Sequence, residues 1–530
     1  MLIHDKNLGH IKLQDIPVPD GAYDFFGTYT YSGRVLVSYH SVNDPKEEDW
    51  YNVITINDDG SGLREIFSGV IPKIPGANGI RWMCFSDNKR ILLGDYVLEC
   101  SPDLDRCIHS ELIPVKYPDE FNNAPGIFCR WSEIIIAPDN CHMAWTTLTM
   151  NTAVNYLAKL VRNEKNYSLK EVCVISSTEL AKPDQDNEGY STLLPVRGGE
   201  VKQFIWGGKA LTMVGNGDSI TESVVQPLES NEIIQITDTP GYEETTIFSP
   251  DEKMGVVMSP RFSTKTNCAI FGLIPQPHSM ITRSKMINIL YMYCVAGVRA
   301  FRKGNVGPVL IDIERSKKEG RKYEGVNLSD PEGRWVYYSP ISWHPDSTRA
   351  MWNERTRMTE GPTKCRLRMC HLLDYTSKGA VPSFVTPDMK DIPYAKSFSL
   401  PKDQNIDEIL PLMIKGKNRG RVVNSVEKAE QPVYISKYED FSDDGKSIYN
   451  GYISVKAPSS IFAPGKTIFE ADLEVKGVHN GEMKLRAVFN REGVHAPAML
   501  SFNQGEDGKT ESRGYSTYDG VTLKIEDMEI

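Results

Sequence analysis

The chain predicts an all-β fold arranged as a propeller, and three observations predict it. First, an apolar strand, a Pro-Asp turn and a second apolar strand recur. Phe248-Ser249-Pro250-Asp251 leads into 254–258, Ala137-Pro138-Asp139-Asn140 into 143–145, and Trp343-His344-Pro345-Asp346 into 350–352. A degenerate copy, Phe85-Ser86-Asp87-Asn88, precedes 91–93. Second, the copies lie roughly 40 to 95 residues apart, the spacing of an array of similar β units. Third, strands pair across acidic turns that contain Gly, as where 51–56 passes through Asn57-Asp58-Asp59-Gly60-Ser61-Gly62 into 63–67. Asp-Gly and Ser-Gly supply the positive φ that a tight hairpin requires.

Each Pro-Asp turn reads outward into a four-stranded blade. Inner strands fall near Phe25, Trp82, Trp131, Phe204, Thr246 and Ile341, which makes six blades. The wide interval between the fifth and sixth leaves room for a seventh, because 287–294 and 309–313 both read as strands. Fourth strands recur as Ile234-Gln235-Ile236-Thr237 and at 11–16. The strand at 11–16 has no blade before it, so it is expected to complete the last blade against 365–373 and remove an exposed edge.

The stretch 234–258 combines a fourth strand ending in Thr237, Pro240-Gly241, a short polar gap and Phe248-Ser249-Pro250-Asp251. It resembles the repeat of TolB-type propellers, the WD-repeat-like Pro-Asp family. That resemblance spans 1–400 and implies a propeller domain there. A polar connector is expected over 401–430, with a C-terminal β-sandwich-like domain over 431–530. Two of its strands, at 469–475 and 483–487, alternate apolar with charged residues at period two, and 433–438, 449–455, 498–502 and 521–525 are expected to join them. Phe441-Ser442-Asp443-Asp444-Gly445-Lys446 reads as a propeller turn without its proline, so an extra sheet docked on the propeller is the alternative.

The 530 residues are 40% hydrophobic and 25% charged, an ordinary balance for a globular chain with a large core. Sixty basic against 70 acidic residues give a net charge of −10, which repels phosphate backbones, so no nucleic-acid partner is expected. The basic runs 315–322 and 415–421 read as solvated loops. The longest apolar stretch, 286–298, is too short to span a bilayer and contains Asn288. With no signal-like run at the start, a cytoplasmic protein without a membrane partner is expected. Ten cysteines without a Cys-x-x-Cys spacing read as reduced core thiols.

In a propeller, the loops before first strands and after second strands open on one face around the central channel, and function is grafted onto them. Those loops carry Tyr23, Asp24, Tyr39, Arg81, Arg130, Tyr242, Glu354 and Arg357 as candidate ligand contacts, together with Asn78 and Asn216. His40, Glu243, Arg261 and Arg355 are the candidate catalytic groups: His40 or Glu243 as base, Arg261 or Arg355 against developing negative charge. His278, beside Pro275 and Pro277, is a candidate lid residue within the insertion 271–305. His142 and His344 belong to the Pro-Asp turns of the opposite face and are expected to be surface residues.

Converging arginines favour a carboxylate, phosphate or polyhydroxylated ligand, and tyrosines suit a sugar or an aromatic ring. The chain is also similar in fold to the cytoplasmic oligogalacturonate lyases. That family implies a metal held by clustered His and Gln, but no His-x-Gln-x-His occurs in this sequence, so neither metal nor other cofactor is expected. The expected function is binding of a small polar, anionic, carbohydrate or aromatic metabolite in the funnel. The enzymatic form of that expectation is a non-redox, metal-independent lyase, hydrolase, isomerase or cyclase. The alternative is a non-catalytic scaffold with a protein partner.

Overall fold

The computed structural model describes all residues except 75, 77, 78, 122, 123, 150, 151, 178, 216–219, 264, 266, 402–407, 459, 461, 462, 529 and 530. Asn78, Asn216 and the polar core of the expected connector therefore lie outside the described residues.

The repeated phrase forms the turn it predicts, and one physical device makes it. The Asp139 carboxylate accepts the backbone N–H of Cys141 at 2.8 Å, Asp87 that of Lys89 at 2.8 Å, Asp346 that of Thr348 at 2.8 Å and Asp251 that of Lys253 at 3.3 Å. The residue after each Asp is left-handed: Asn140, Asn88, Ser347 and Glu252 have φ between 56° and 63°. An Asp side chain that satisfies the turn's own amides lets the chain reverse without a glycine.

Among the described residues, four-stranded antiparallel meanders follow one another along the chain as a propeller. They run from Ala22–Tyr29 to Arg64–Val70, Met83–Cys84 to His109–Lys116, Ile127–Ile136 to Tyr167–Val174, Val201–Ile205 to Ile234–Gln235, and Thr246–Phe248 to Val326–Asn327. The last begins at Trp335–Trp343 and receives its outer strand from the N-terminus: Gly9–Ile16 pairs with Cys365–Leu372 from Ile11 opposite Leu372 to Ile16 opposite Leu367. Leu2–Asp5 adds one further edge strand. The first and last sheets are also joined side to side. Asn353 accepts the Gly27 N–H at 2.8 Å, and Ser342 accepts that of Tyr29 at 2.8 Å. Cores form between neighbours, such as Leu36, Val53, Trp82 and Ile91 between the first and second sheets, and Ile16, Val35, Met351 and Leu367 between last and first.

The stretch 287–294, read as a strand, is helical. Between Met254–Val257 and Val309–Asp312 the fifth sheet carries an insertion with helix α1 (Met280–Leu290), a π-helical segment (Tyr291–Ala296) and helix α2 (Gly297–Ala300). Its apolar residues face every direction because it is covered on opposite sides, by the propeller and by the C-terminal sheet, and a short apolar run cannot by itself distinguish such a helix from a buried strand.

The C-terminal region is one antiparallel meander from Leu412–Lys415 to Val521–Lys524, with no second sheet opposed to it among the described residues. Its first two strands, Leu412–Lys415 and Arg419–Glu427, fall within the expected connector 401–430. A second sheet is unnecessary because the insertion covers the apolar face. The Phe271 ring lies 5.1 Å from that of Phe469 and 5.7 Å from that of Phe489, Thr282 Oγ1 is 3.1 Å from Ser436 Oγ, and Tyr293 donates to the Met528 carbonyl at 2.6 Å.

Between the last propeller strand and this sheet, the chain forms a strap over the Pro-Asp turns. Asp251 accepts from the Tyr375 hydroxyl at 2.6 Å and the Lys378 N–H at 3.0 Å, and Asp139 accepts the Thr386 N–H at 3.0 Å. Gly207, at φ 63°, accepts the Phe384 N–H at 2.8 Å, and a Cβ there would collide with the Pro382 carbonyl. His142 lies buried beneath the strap with Asp139 at 2.6 Å and Asp388 at 3.2 Å. His344 contacts Asp346 at 2.9 Å and the edge of the Tyr29 ring. His142 is therefore not the surface turn residue expected of it, whereas His344 keeps its place in the turn, half-buried.

Candidate functional site

Groups from successive inner strands meet in a charged chain. Arg81 reaches Glu133 at 2.5 Å, and Glu133 meets Lys202 at 3.1 Å. Lys202 also binds Glu200 at 2.8 Å and Glu244 at 2.9 Å, and the Tyr242 hydroxyl donates to Glu244 at 3.2 Å. The Lys202 side chain is 3% exposed. Burial works against its charge, yet Glu133, Glu200 and Glu244 outweigh that effect and hold the ammonium well above its ordinary pKa. Such a lysine is neither a nucleophile nor a base near neutral pH. For Arg81, likewise, burial disfavours the charge and Glu133 and Glu200 restore it, so the guanidinium is committed to protein carboxylates.

Most of the candidate residues are engaged in this way. Glu243 is fully buried, accepts from Ser259 at 2.5 Å and meets Arg261 at 2.5 Å. Arg261 also donates to the Tyr323 and Glu324 carbonyls at 3.2 and 3.0 Å. This pair ties the fifth sheet together through Glu243 Oε1; Oε2 has no hydrogen-bond partner among the described residues, but full burial closes it off from solvent. Glu354 is buried between the Trp352 indole N–H at 2.8 Å and Arg366 at 2.5 Å; burial raises its pKa although Arg366 opposes the shift. Arg357 donates to the carbonyls of Arg302 at 2.6 Å and Gly304 at 2.7 Å, clamping the return of the insertion. Arg130 pairs with Asp95 and lies over the Tyr117 ring at 4.9 Å. Tyr242 is buried, and burial pushes its hydroxyl well above the usual range. His278 faces the C-terminal sheet, 2.9 Å from Asp443 and edge-on to Phe441, as an interface residue and not a lid.

What remains accessible lies at the ends of the strands of the first and last sheets. Tyr23 and His40 are cross-strand partners, their rings 5.8 Å apart. The His40 ring lies 4.8 Å from that of Tyr51, and Tyr51 lies 6.2 Å from Trp82. Tyr23 is 52% exposed, His40, Tyr39 and Tyr51 are half-buried, and Trp82 is buried behind them. His40 touches rings and, among the described residues, has no carboxylate to orient its imidazole, so it serves as a stacking surface. Beside this row, Asp24, at φ 47°, binds Arg355 at 2.6 Å across the seam between first and last sheets. Arg355 lies over the rings of Phe26 at 4.6 Å and Tyr338 at 5.2 Å.

Sequence reasoning missed Glu133 and the pairing of Lys202 with Glu200 and Glu244, and it missed Trp82 and Arg299 at the mouth. For Trp82, read as an inner-strand residue, its place beside Tyr51 was the signal. Arg299, in α2, lies over Tyr338 at 4.3 Å, and nothing in a helical insertion marks its direction.

No family model matches the chain and no curated protein matches it. Among solved structures it is similar to TolB from Acinetobacter baumannii, at 10% identity and a TM-score of 0.29 over 71% of this chain and 68% of that one. It is also similar to the apo form of prolyl oligopeptidase B from Galerina marginata, at 10% identity and 0.28, over 80% of this chain and 48% of that one. For the β-propeller domain of the Trilobed protease from Pyrococcus furiosus the values are 8% and 0.28, over 82% and 95%. The chain thus spans less than half the length of the prolyl oligopeptidase. No helix among the described residues is long and apolar enough to cross a membrane.

Proposed function

We propose that the chain is a six-bladed propeller that binds a small ring-bearing metabolite, a sugar or an aromatic compound, at the mouth of its channel. The observation that carries this reading is the row Tyr23, His40 and Tyr51, three rings in a line from the innermost strand outward with an exposed face at Tyr23. A row of ring faces next to one carboxylate and one guanidinium suits a flat or hydroxylated ring that carries a polar group. Binding is favoured over catalysis, because Glu243 and Arg261 neutralise each other and His40 has no orienting partner among the described residues. A ligand screen by thermal stabilisation and calorimetry tests this reading. A binder should lose about tenfold or more affinity in Tyr23→Ala, as expected when a ring loses its stacking partner. A binder indifferent to both Tyr23→Ala and Tyr51→Ala would overturn it.

A scaffold function has its own support on the opposite face. Trp206, Phe384 and Val385 are exposed where the strap crosses the fourth sheet, and Met389 where it reaches the third, apolar residues of the kind that anchor protein partners. Its signature would be a defined partner whose binding is lost in Trp206→Ala and unchanged in Tyr23→Ala.

A further inference from the structure

We propose that Arg299 and Arg355 form a carboxylate-recognition position at the channel mouth, so that the ring bound there is an acid: a uronic acid or an aromatic carboxylic acid. This deepens the ring-binding reading and rests on it. Both guanidinium groups lie against the Tyr338 ring, Arg299 at 4.3 Å and Arg355 at 5.2 Å from its centroid. Asp24 supplies one negative charge at 2.6 Å from Arg355, which leaves the group of three with one positive charge to spare. Unlike Arg81, Arg130 and Arg261, Arg299 has no carboxylate within ion-pair distance among the described residues.

A second observation points to a missing acceptor. The Nε atoms of Arg299 and Arg355 and the hydroxyl of Tyr337 are buried without a hydrogen-bond partner. Buried donors in native proteins are nearly always satisfied, so the two unpartnered Nε atoms, on guanidinium groups that share the Tyr338 ring, mark where an acceptor belongs. A carboxylate has two oxygens that each accept more than one hydrogen bond, and it matches the planar guanidinium fork. The backbone supports the same assignment. The π-helical turn Tyr291–Ala296 separates α1 from α2, and π turns within helices recur at functional sites because they redirect the residues that follow. Here the next turn carries Arg299. The Asp24 side of Arg355 continues directly into Tyr23 and the ring row, so the carboxylate would lie at the inner end and the ring along Tyr23, His40 and Tyr51.

The test is calorimetry on the full chain with two matched pairs, glucuronate against glucose and 4-hydroxybenzoate against 4-hydroxybenzyl alcohol. In at least one pair the acid should bind about tenfold or more tightly than its neutral partner, the usual worth of a charge-assisted contact. Arg299→Gln should remove that difference without weakening the neutral compound, and Arg299→Lys should retain part of it; circular dichroism checks that both variants fold. If acid and neutral compounds bind equally and Arg299→Gln changes neither, the carboxylate position is overturned while the ring reading stands. If an acid binds through Arg299 but ignores Tyr23→Ala and Tyr51→Ala, the ring reading falls and the anion position stands. If no member of either pair binds, both are overturned.

Discussion

His142 and Asp388 meet at 3.2 Å, and through them the third sheet holds the strap that follows the last propeller strand. Asp139 binds the other imidazole nitrogen at 2.6 Å, and Lys159, itself bound to Glu171, reaches Asp388 at 2.8 Å. Burial opposes the charge on His142, but the hydrogen bond to Asp139 prevails and its pKa is raised. The Asp388 carboxyl is lowered by Lys159 and, despite burial, by His142; Asp139 is lowered, against its burial, by His142 and the surrounding amides.

These directions predict a stability optimum on the acid side of neutrality. The His142 contribution is fully present below its unfolded value of about 6.5 and is lost as pH rises through the raised folded value. The Asp139 and Asp388 contributions are present above about 4 and are lost as pH falls through their lowered folded values. Melting temperatures measured from pH 4 to 9 should therefore decline toward the alkaline side, and His142→Gln should flatten that decline. An unchanged alkaline slope in the variant would remove His142 as its cause.

The ammonium of Lys202 predicts a different response to mutation. Lys202→Met leaves Glu133, Glu200 and Glu244 facing one another with Arg81 as their cation, and removing one partner from a buried ionic group costs about 3–5 kcal/mol. Urea unfolding at pH 7 should show that loss. It should shrink at acid pH, where protonation of the carboxylates relieves their repulsion, so the gap between variant and parent narrows as pH falls.

The propeller was legible in the sequence because its signals are local. Asp139 and Asp346 satisfy amides two residues away, so the phrase that makes the turn is contiguous, and from it the closing strand at Gly9–Ile16 could be placed by counting. The site was poorly legible because its contacts are not local. Glu243 and Arg261 both sit where a funnel residue should, and nothing in their spacing says that they neutralise each other. Arg81 finds Glu133, and Asp24 finds Arg355, only once separate sheets are brought side by side. Residues 287–294 were read as a strand because what covers them, Phe469 and its neighbours, lies nearly two hundred positions away.

For Glu243 and Arg261, the expectation is structural damage and not a selective loss of binding. Arg261→Met strands a fully buried carboxylate and should cost about 3–5 kcal/mol, whereas the double variant Glu243→Met, Arg261→Met should recover much of that, as when an ion pair is replaced by apolar side chains of similar size. The measurement is a double-mutant cycle in urea. Additive losses would mean that each residue has a partner of greater weight elsewhere.

Phe271 predicts how the two halves of the chain unfold. Its ring is fully buried and packs on Phe469 and Phe489 of the C-terminal sheet, in a core that also includes Met254 and Val256 of the fifth propeller sheet and Ile289 of α1. One continuous core shared by propeller, insertion and C-terminal sheet leaves no boundary at which either half could melt alone. Phe271→Ala should cost about 3–5 kcal/mol by loss of buried surface and creation of a cavity. Because the core is shared, calorimetry should show one transition displaced to lower temperature. Two resolved transitions in the parent, with only the one belonging to residues 412–528 displaced in Phe271→Ala, would mean that the C-terminal sheet is an independent domain resting on the insertion.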